Sequence, residues 1–212
     1  MFLMSRHWSV LIALLSAVFA LLAVDVALTL HSLEKGSQAG YLQKLFNVDE
    51  EQNLPTWFSS AQLLLSAALA ARFASAASGQ RLLTRSAWVL LAFGMLVMSI
   101  DETAGLHEIV NEHTRGRWTD YGTWVALAGL LCVSPVLASM RYGNAALCVI
   151  AAAVFLAGAI GVERESAWFA EFNMLDTLDY RRHTWLEEGL EMTGVALLVF
   201  ALLRERREHP TR

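Results

Sequence analysis

The chain has 212 residues, 56% hydrophobic and 17% charged, well below the roughly 25% charge of soluble domains, with a mean hydropathy of +0.44. Twenty acids against sixteen Lys and Arg leave a net charge of −4, which excludes a basic nucleic-acid binder. The apolar content excludes a disordered or fibrous chain, and two cysteines exclude both a disulfide-stapled scaffold and a cysteine-rich zinc module.

Six apolar stretches reach the length of about 20 residues that crosses a bilayer: about 8–30, 56–77, 86–107, 121–140, 144–162 and 185–203. None shows the alternation of a barrel strand, and in lipid only helices or closed barrels satisfy the backbone. The predicted fold is therefore all-α: a single six-helix transmembrane domain over residues 1–212, an integral membrane bundle with short surface helices in its outer loops.

In chain order, the run from Trp8 to Leu30 exceeds the apolar core of about 7–15 residues in a secretion signal and reads as the first span. It carries Asp25, with His31 at its exit. Tyr41 to Phe46 has the spacing of a short helix lying on the membrane surface. Asn53-Leu54-Pro55 reads as a helix start, with proline tolerated in the first turn. The third span ends in Ser99, Asp101, Glu102, Gly105, His107 and Glu108, and continues to Glu112 and His113. Pro135 lies inside the fourth span, where it kinks a helix. Cys132 and Cys148 fall in apolar runs and read as packing residues. Trp168, Phe169 and Phe172 mark a second surface helix. The sixth span opens with His183, Glu187, Glu188, Glu191 and Gly194.

Charge sorts by side. An even number of spans puts both termini on one face, together with the loops near Arg72 to Arg85 and at Arg141. That face holds nine of the sixteen cations, so the positive-inside rule assigns it to the cytoplasm and the protein to the inner (plasma) membrane. Only Glu205 and Glu208 among the acids share it. Loop acids such as Glu50, Glu51, Glu163, Glu165, Glu171, Asp176 and Asp179 read as a solvated surface.

Acids inside apolar helices cost roughly 2.5–3.5 kcal/mol each near the centre and call for partners. At about 100° per residue, Asp101, Gly105, Glu108 and Glu112 share a stripe if their helix continues, and His183, Glu187, Glu191 and Gly194 share another. Asp25, Asp101 and Glu191 fall at similar depths in three helices and form a predicted buried proton pathway. His31, His107, Glu108, His183 and Glu187 form a second layer above. Converging carboxylates need a counter-charge, from a divalent cation (zinc, manganese or iron), from Arg164, Arg181 or Arg182, or from protons. The H-E-x-x-H and Glu-x-x-His signatures are absent.

The leading expectation is an outer-face metal pocket with Asp101, His107, Glu108, Glu187 and Glu191 as ligands. Ser99, Glu102 and Glu108 would be the catalytic candidates of a hydrolase that activates water against a lipid-borne substrate. Two further readings stay open. One is a proton-coupled carrier or cation-binding protein using Asp25, Asp101 and Glu191. The other is a non-enzymatic assembly scaffold presenting Trp57, Trp118 and Trp168. Membrane lipids are the expected surroundings, and no nucleic acid is expected as partner.

Overall fold

The computed structural model describes residues 6–35, 40–76, 81–107, 109, 113, 118–175 and 177–205, and every regular element among them is a helix. In chain order these are α1 (Arg6–Lys35), α2 (Gly40–Phe46), α3 (Leu54–Ala76), α4 (Leu82–Ala104), α5 (Trp118–Ser139), α6 (Tyr142–Leu156), α7 (Glu163–Glu171) and α8 (Leu178–Arg204). Between α6 and α7 the chain winds as a π-helix over Ala157–Val162 without leaving the helical path.

Five helices are long and apolar enough to cross a membrane: Arg6–Lys35, Leu54–Ala76, Leu82–Ala104, Tyr121–Ser139 and Tyr142–Ser166. Large apolar side chains such as Phe19, Phe93, Val125 and Leu131 stand exposed on them. Exposed apolar surface on this scale fits a membrane protein. The two short outer segments form as expected, α2 over the Tyr41 segment and α7 over the Trp168 segment.

The sixth predicted span corresponds to α8, which has 27 residues but carries Glu187, Glu188 and Glu191 in its first half. It can carry them because it is the central helix, packed against α1, α3, α6 and the π-helical segment. Met192, Val195, Ala196, Val199, Phe200, Ala201 and Leu202 are all buried along it. A helix walled off by protein does not need an apolar face all round.

Close approach sets that packing. A Cβ on Gly194 would stand 2.7 Å from the backbone nitrogen of Phe155, and one on Gly158 would stand 2.7 Å from the carbonyl oxygen of Glu187. Both glycines remove a side chain where α6 and its π extension cross α8, the small-residue contact that lets membrane helices touch backbone to backbone. At the arginine-rich end the core closes on Phe73 and Trp88, whose rings lie 4.7 Å apart, with Val136, Met140, Cys148 and Leu202 around them. Trp8 packs on Phe200 at 4.8 Å and ties α1 to α8. Cys148 is buried as expected, whereas Cys132 is exposed on α5.

Helix ends follow local chemistry. Asn53 Oδ1 accepts the Thr56 N–H at 3.1 Å and Asn53 Nδ2 donates to the Asn47 carbonyl at 2.6 Å, so the residue before Leu54-Pro55 caps α3. Thr177 caps α8 by accepting the Tyr180 N–H at 3.2 Å. α5 runs through Pro135 to Ser139.

Candidate functional site

The acidic end of the bundle holds three neighbouring arrangements.

The first is an ion pair at the bundle's centre. Asp25 Oδ2 accepts Arg181 Nη2 at 2.7 Å and the Trp185 indole N–H at 2.8 Å, and Asp25 is fully buried. Arg181 also donates to Asp49 at 3.4 Å, and the Tyr180 hydroxyl donates to Asp49 at 2.8 Å. This network bolts α1 and the Asp49 loop to the start of α8. Of the three arginines considered as counter-ions, Arg181 is the one that reaches Asp25. Burial, reinforced by the Asp49 carboxylate, holds the Tyr180 hydroxyl above its ordinary pKa of 10.0 and keeps it a donor.

The second arrangement is a break. α4 stops at Ala104 because Gly105 takes φ +57°, and the Gly105 N–H donates back to the Asp101 carbonyl at 2.8 Å. Asp101 Oδ1 then accepts the His107 N–H at 2.8 Å, while Asp101 Oδ2 lies 3.2 Å from His107 Nδ1. The carboxylate thus caps the turn that restarts at Leu106. The helix that carries Asp101 is interrupted at Gly105, so the continuous helix on which the predicted stripe from Asp101 through Glu108 and Glu112 depended ends there. Glu108 and Glu112 lie outside the described residues. Asp101 and His107 do come together as predicted, but at the half-exposed mouth of the bundle.

The third arrangement is a group of glutamates. Glu102 on α4 is hydrogen-bonded to Ser59 on α3. Glu188 lies within electrostatic reach of Glu191, Glu102, Asp49 and Glu163. The charged groups that bear most strongly on Glu191 are Glu102, Glu187, Glu163 and Asp101, all carboxylates. Glu187 accepts from Ser166 Oγ at 3.3 Å and lies against Glu163. Glu187, Glu191 and Gly194 do form one stripe, turned toward α6 and the π-helical segment. A π turn widens the helix by about one residue, and such turns cluster at functional sites.

One helical turn inward of Ser59, on the same buried side of α3, lies Gln62, 2% exposed and with neither side-chain oxygen nor nitrogen hydrogen-bonded. Buried polar groups are almost always paired, so an orphaned carboxamide on this side of α3 stands out from ordinary core.

Other predicted site residues serve elsewhere. Ser99 Oγ lies 2.9 Å from Ser60 Oγ and donates to the Ser60 carbonyl at 3.0 Å, a clasp between α4 and α3. His183 Nε2 lies 2.9 Å from Glu165 Oε2, and its ring packs 5.1 Å from Phe169 of α7. His31 is exposed, and His113 Nδ1 lies 2.8 Å from its local carbonyl at Ile109. Trp57 and Trp168 are exposed, while the Trp118 side chain lies outside the described residues. Among the described residues, no three His, Cys, Asp or Glu side chains come together as a metal ion requires. Ser59, Gln62, Glu163 and Ser166 belong to the site, yet sequence does not single them out. Ser59 and Gln62 are distinguished only by burial once the helices pack, and Ser166 and Glu163, the latter read from sequence as a solvated loop acid, only by their contacts with Glu187.

No curated protein and no solved structure matches the chain. Residues 14–205 match the family model described as a domain of unknown function (DUF8692), and since this match takes in most of the sequence, the chain belongs to that family.

Proposed function

We propose that the protein is an integral protein of the inner (plasma) membrane that binds a proton or a small cation in the glutamate group of Glu102, Glu188 and Glu191 and couples the two. In this reading residues 185–203 of α8 are the sixth span, and both termini face the cytoplasm because the arginine-rich end lies there. The observation that carries the proposal is the environment of Glu191, whose strongest charged neighbours are carboxylates from α4, α8 and the end of the π-helical segment. Arg181, at the start of α8, is already engaged by Asp25 and Asp49. Carboxylates so placed accept positive charge from outside the protein framework, as a proton or as a cation. The orphaned carboxamide of Gln62, one turn from Ser59 on α3, is a further buried polar group without a partner. Glu102, at the end of α4 and near the Asp101–His107 mouth, connects the group to the outer surface.

The divalent metals expected by sequence enter as one class of cation to be tested. A hydrolase built on Asp101, His107, Glu108, Glu187 and Glu191 would require the Asp101–His107 cap to open and Glu187 to leave Ser166. For that reason cation coupling is the favoured function.

The test uses protein reconstituted into vesicles containing a pH-sensitive dye. Adding sodium, potassium, manganese or zinc ions outside should move protons for at least one cation, and Glu191→Gln should abolish the signal. Vesicles in which no cation moves protons, or in which Glu191→Gln behaves like the unmodified chain, would remove this reading.

A further inference from the structure

The arginine-rich end contains a cavity of about 130 Å³ lined by Arg141, Gly143, Asn144 and Arg204. It forms where α5 turns into α6 beside the last turn of α8. The nearby carboxylate is already in use: Asn144 Nδ2 donates to Glu205 Oε2 at 2.7 Å, and the Arg141 backbone N–H donates to the same oxygen at 3.4 Å. Glu205 therefore caps the first turn of α6 from across the bundle. Among the described residues, neither the Arg141 nor the Arg204 guanidinium has a carboxylate within ion-pair distance. Arg204 lies over the Phe200 ring at 5.3 Å, a stacking contact that fixes its direction.

Two such guanidiniums on one small polar cavity are suited to a phosphate, whose oxygens match the guanidinium fork. The depth suits a lipid. Tyr142, the first residue of α6, is almost fully exposed, and an aromatic ring at the end of an apolar helix belongs at headgroup level. We propose that this cavity holds the phosphate of an anionic phospholipid headgroup between Arg141 and Arg204. A soluble phosphate shares that chemistry, and the experiment separates the two.

Full-length protein in neutral detergent is titrated with short-chain phosphatidylglycerol, short-chain phosphatidylcholine and inorganic phosphate, with thermal unfolding and native mass spectrometry as readouts. Phosphatidylglycerol should raise the unfolding midpoint and remain bound, and phosphatidylcholine should do neither. The pair Arg141→Gln with Arg204→Gln should weaken phosphatidylglycerol binding about tenfold or more. Arg72→Gln with Arg85→Gln removes the same charge from the same end outside the cavity and should leave binding unchanged. An equal effect of inorganic phosphate would support the cavity with a soluble anion as its occupant. Equal loss in the two double variants, or equal binding of phosphatidylcholine, would overturn the proposal. Should the Arg141, Arg204 variant fail to fold, Arg141→Lys keeps the charge without the fork and should give an intermediate loss, with unchanged binding counting against the site.

Discussion

Asp25 on α1 and Arg181 on α8 meet at 2.7 Å across 156 residues of sequence, with the carboxylate wholly buried. Neither charge is tolerable there alone, and their pairing fixes how the first helix meets the central one. The same arginine reaches Asp49 at 3.4 Å.

Removing one partner of such a pair leaves an uncompensated charge, so Asp25→Leu should cost about 3 kcal/mol or more, and Asp25→Leu with Arg181→Met should recover part of that loss. Unfolding in a denaturing detergent series measures it. Losses that simply add would show that the two residues are not coupled.

The glycine contacts give a graded expectation. Gly194→Ala drives a Cβ into the Phe155 backbone, and Gly158→Ala drives one into the Glu187 carbonyl. Overpacking of this kind costs roughly 1–3 kcal/mol. Gly129 has open space around it, so Gly129→Ala should leave thermal stability within about 0.5 kcal/mol of the unmodified chain. Thermal unfolding of the three variants side by side checks the order.

Tyr180 gives a pH dependence with a defined sign. Its pKa is raised in the folded state by burial and by Asp49, so the protein holds the phenolic proton more tightly than the unfolded chain does. The stabilisation is fully present below the unfolded pKa of about 10 and is lost as pH rises through the folded value. The stability difference between unmodified protein and Tyr180→Phe should be constant from pH 7 to 9 on the scale of about 1 kcal/mol. It should then shift against the unmodified chain above about pH 10. Denaturant unfolding at stepped alkaline pH reads this directly, and a flat difference would contradict it.

Much of this architecture is legible in the sequence, for physical reasons. Apolar runs long enough to span lipid, the Asn53 cap before Pro55 and the Glu187–Glu191–Gly194 stripe each arise from local periodicity or local hydrogen bonding. The features that escape prediction depend on pairings between distant residues or on backbone states with weak sequence signals. Spacing does not say which of Arg164, Arg181 and Arg182 reaches Asp25. Gly105 could have continued its helix, but its left-handed conformation ends α4 and turns Asp101 into a cap for the Leu106 turn. The π-helical segment over Ala157–Val162 has only small and apolar residues, so nothing in it distinguishes a wide turn from an ordinary one.

The central claim is that Glu102, Glu188 and Glu191 share positive charge that exchanges between protons and a cation. Infrared difference spectroscopy of the membrane-reconstituted protein, before and after addition of the cation that moves protons in vesicles, tests it most directly. The account predicts loss of a protonated-carboxyl band on cation addition, and absence of that change in Glu191→Gln. An identical difference spectrum in Glu191→Gln, or no carboxyl change in the unmodified protein, would contradict it.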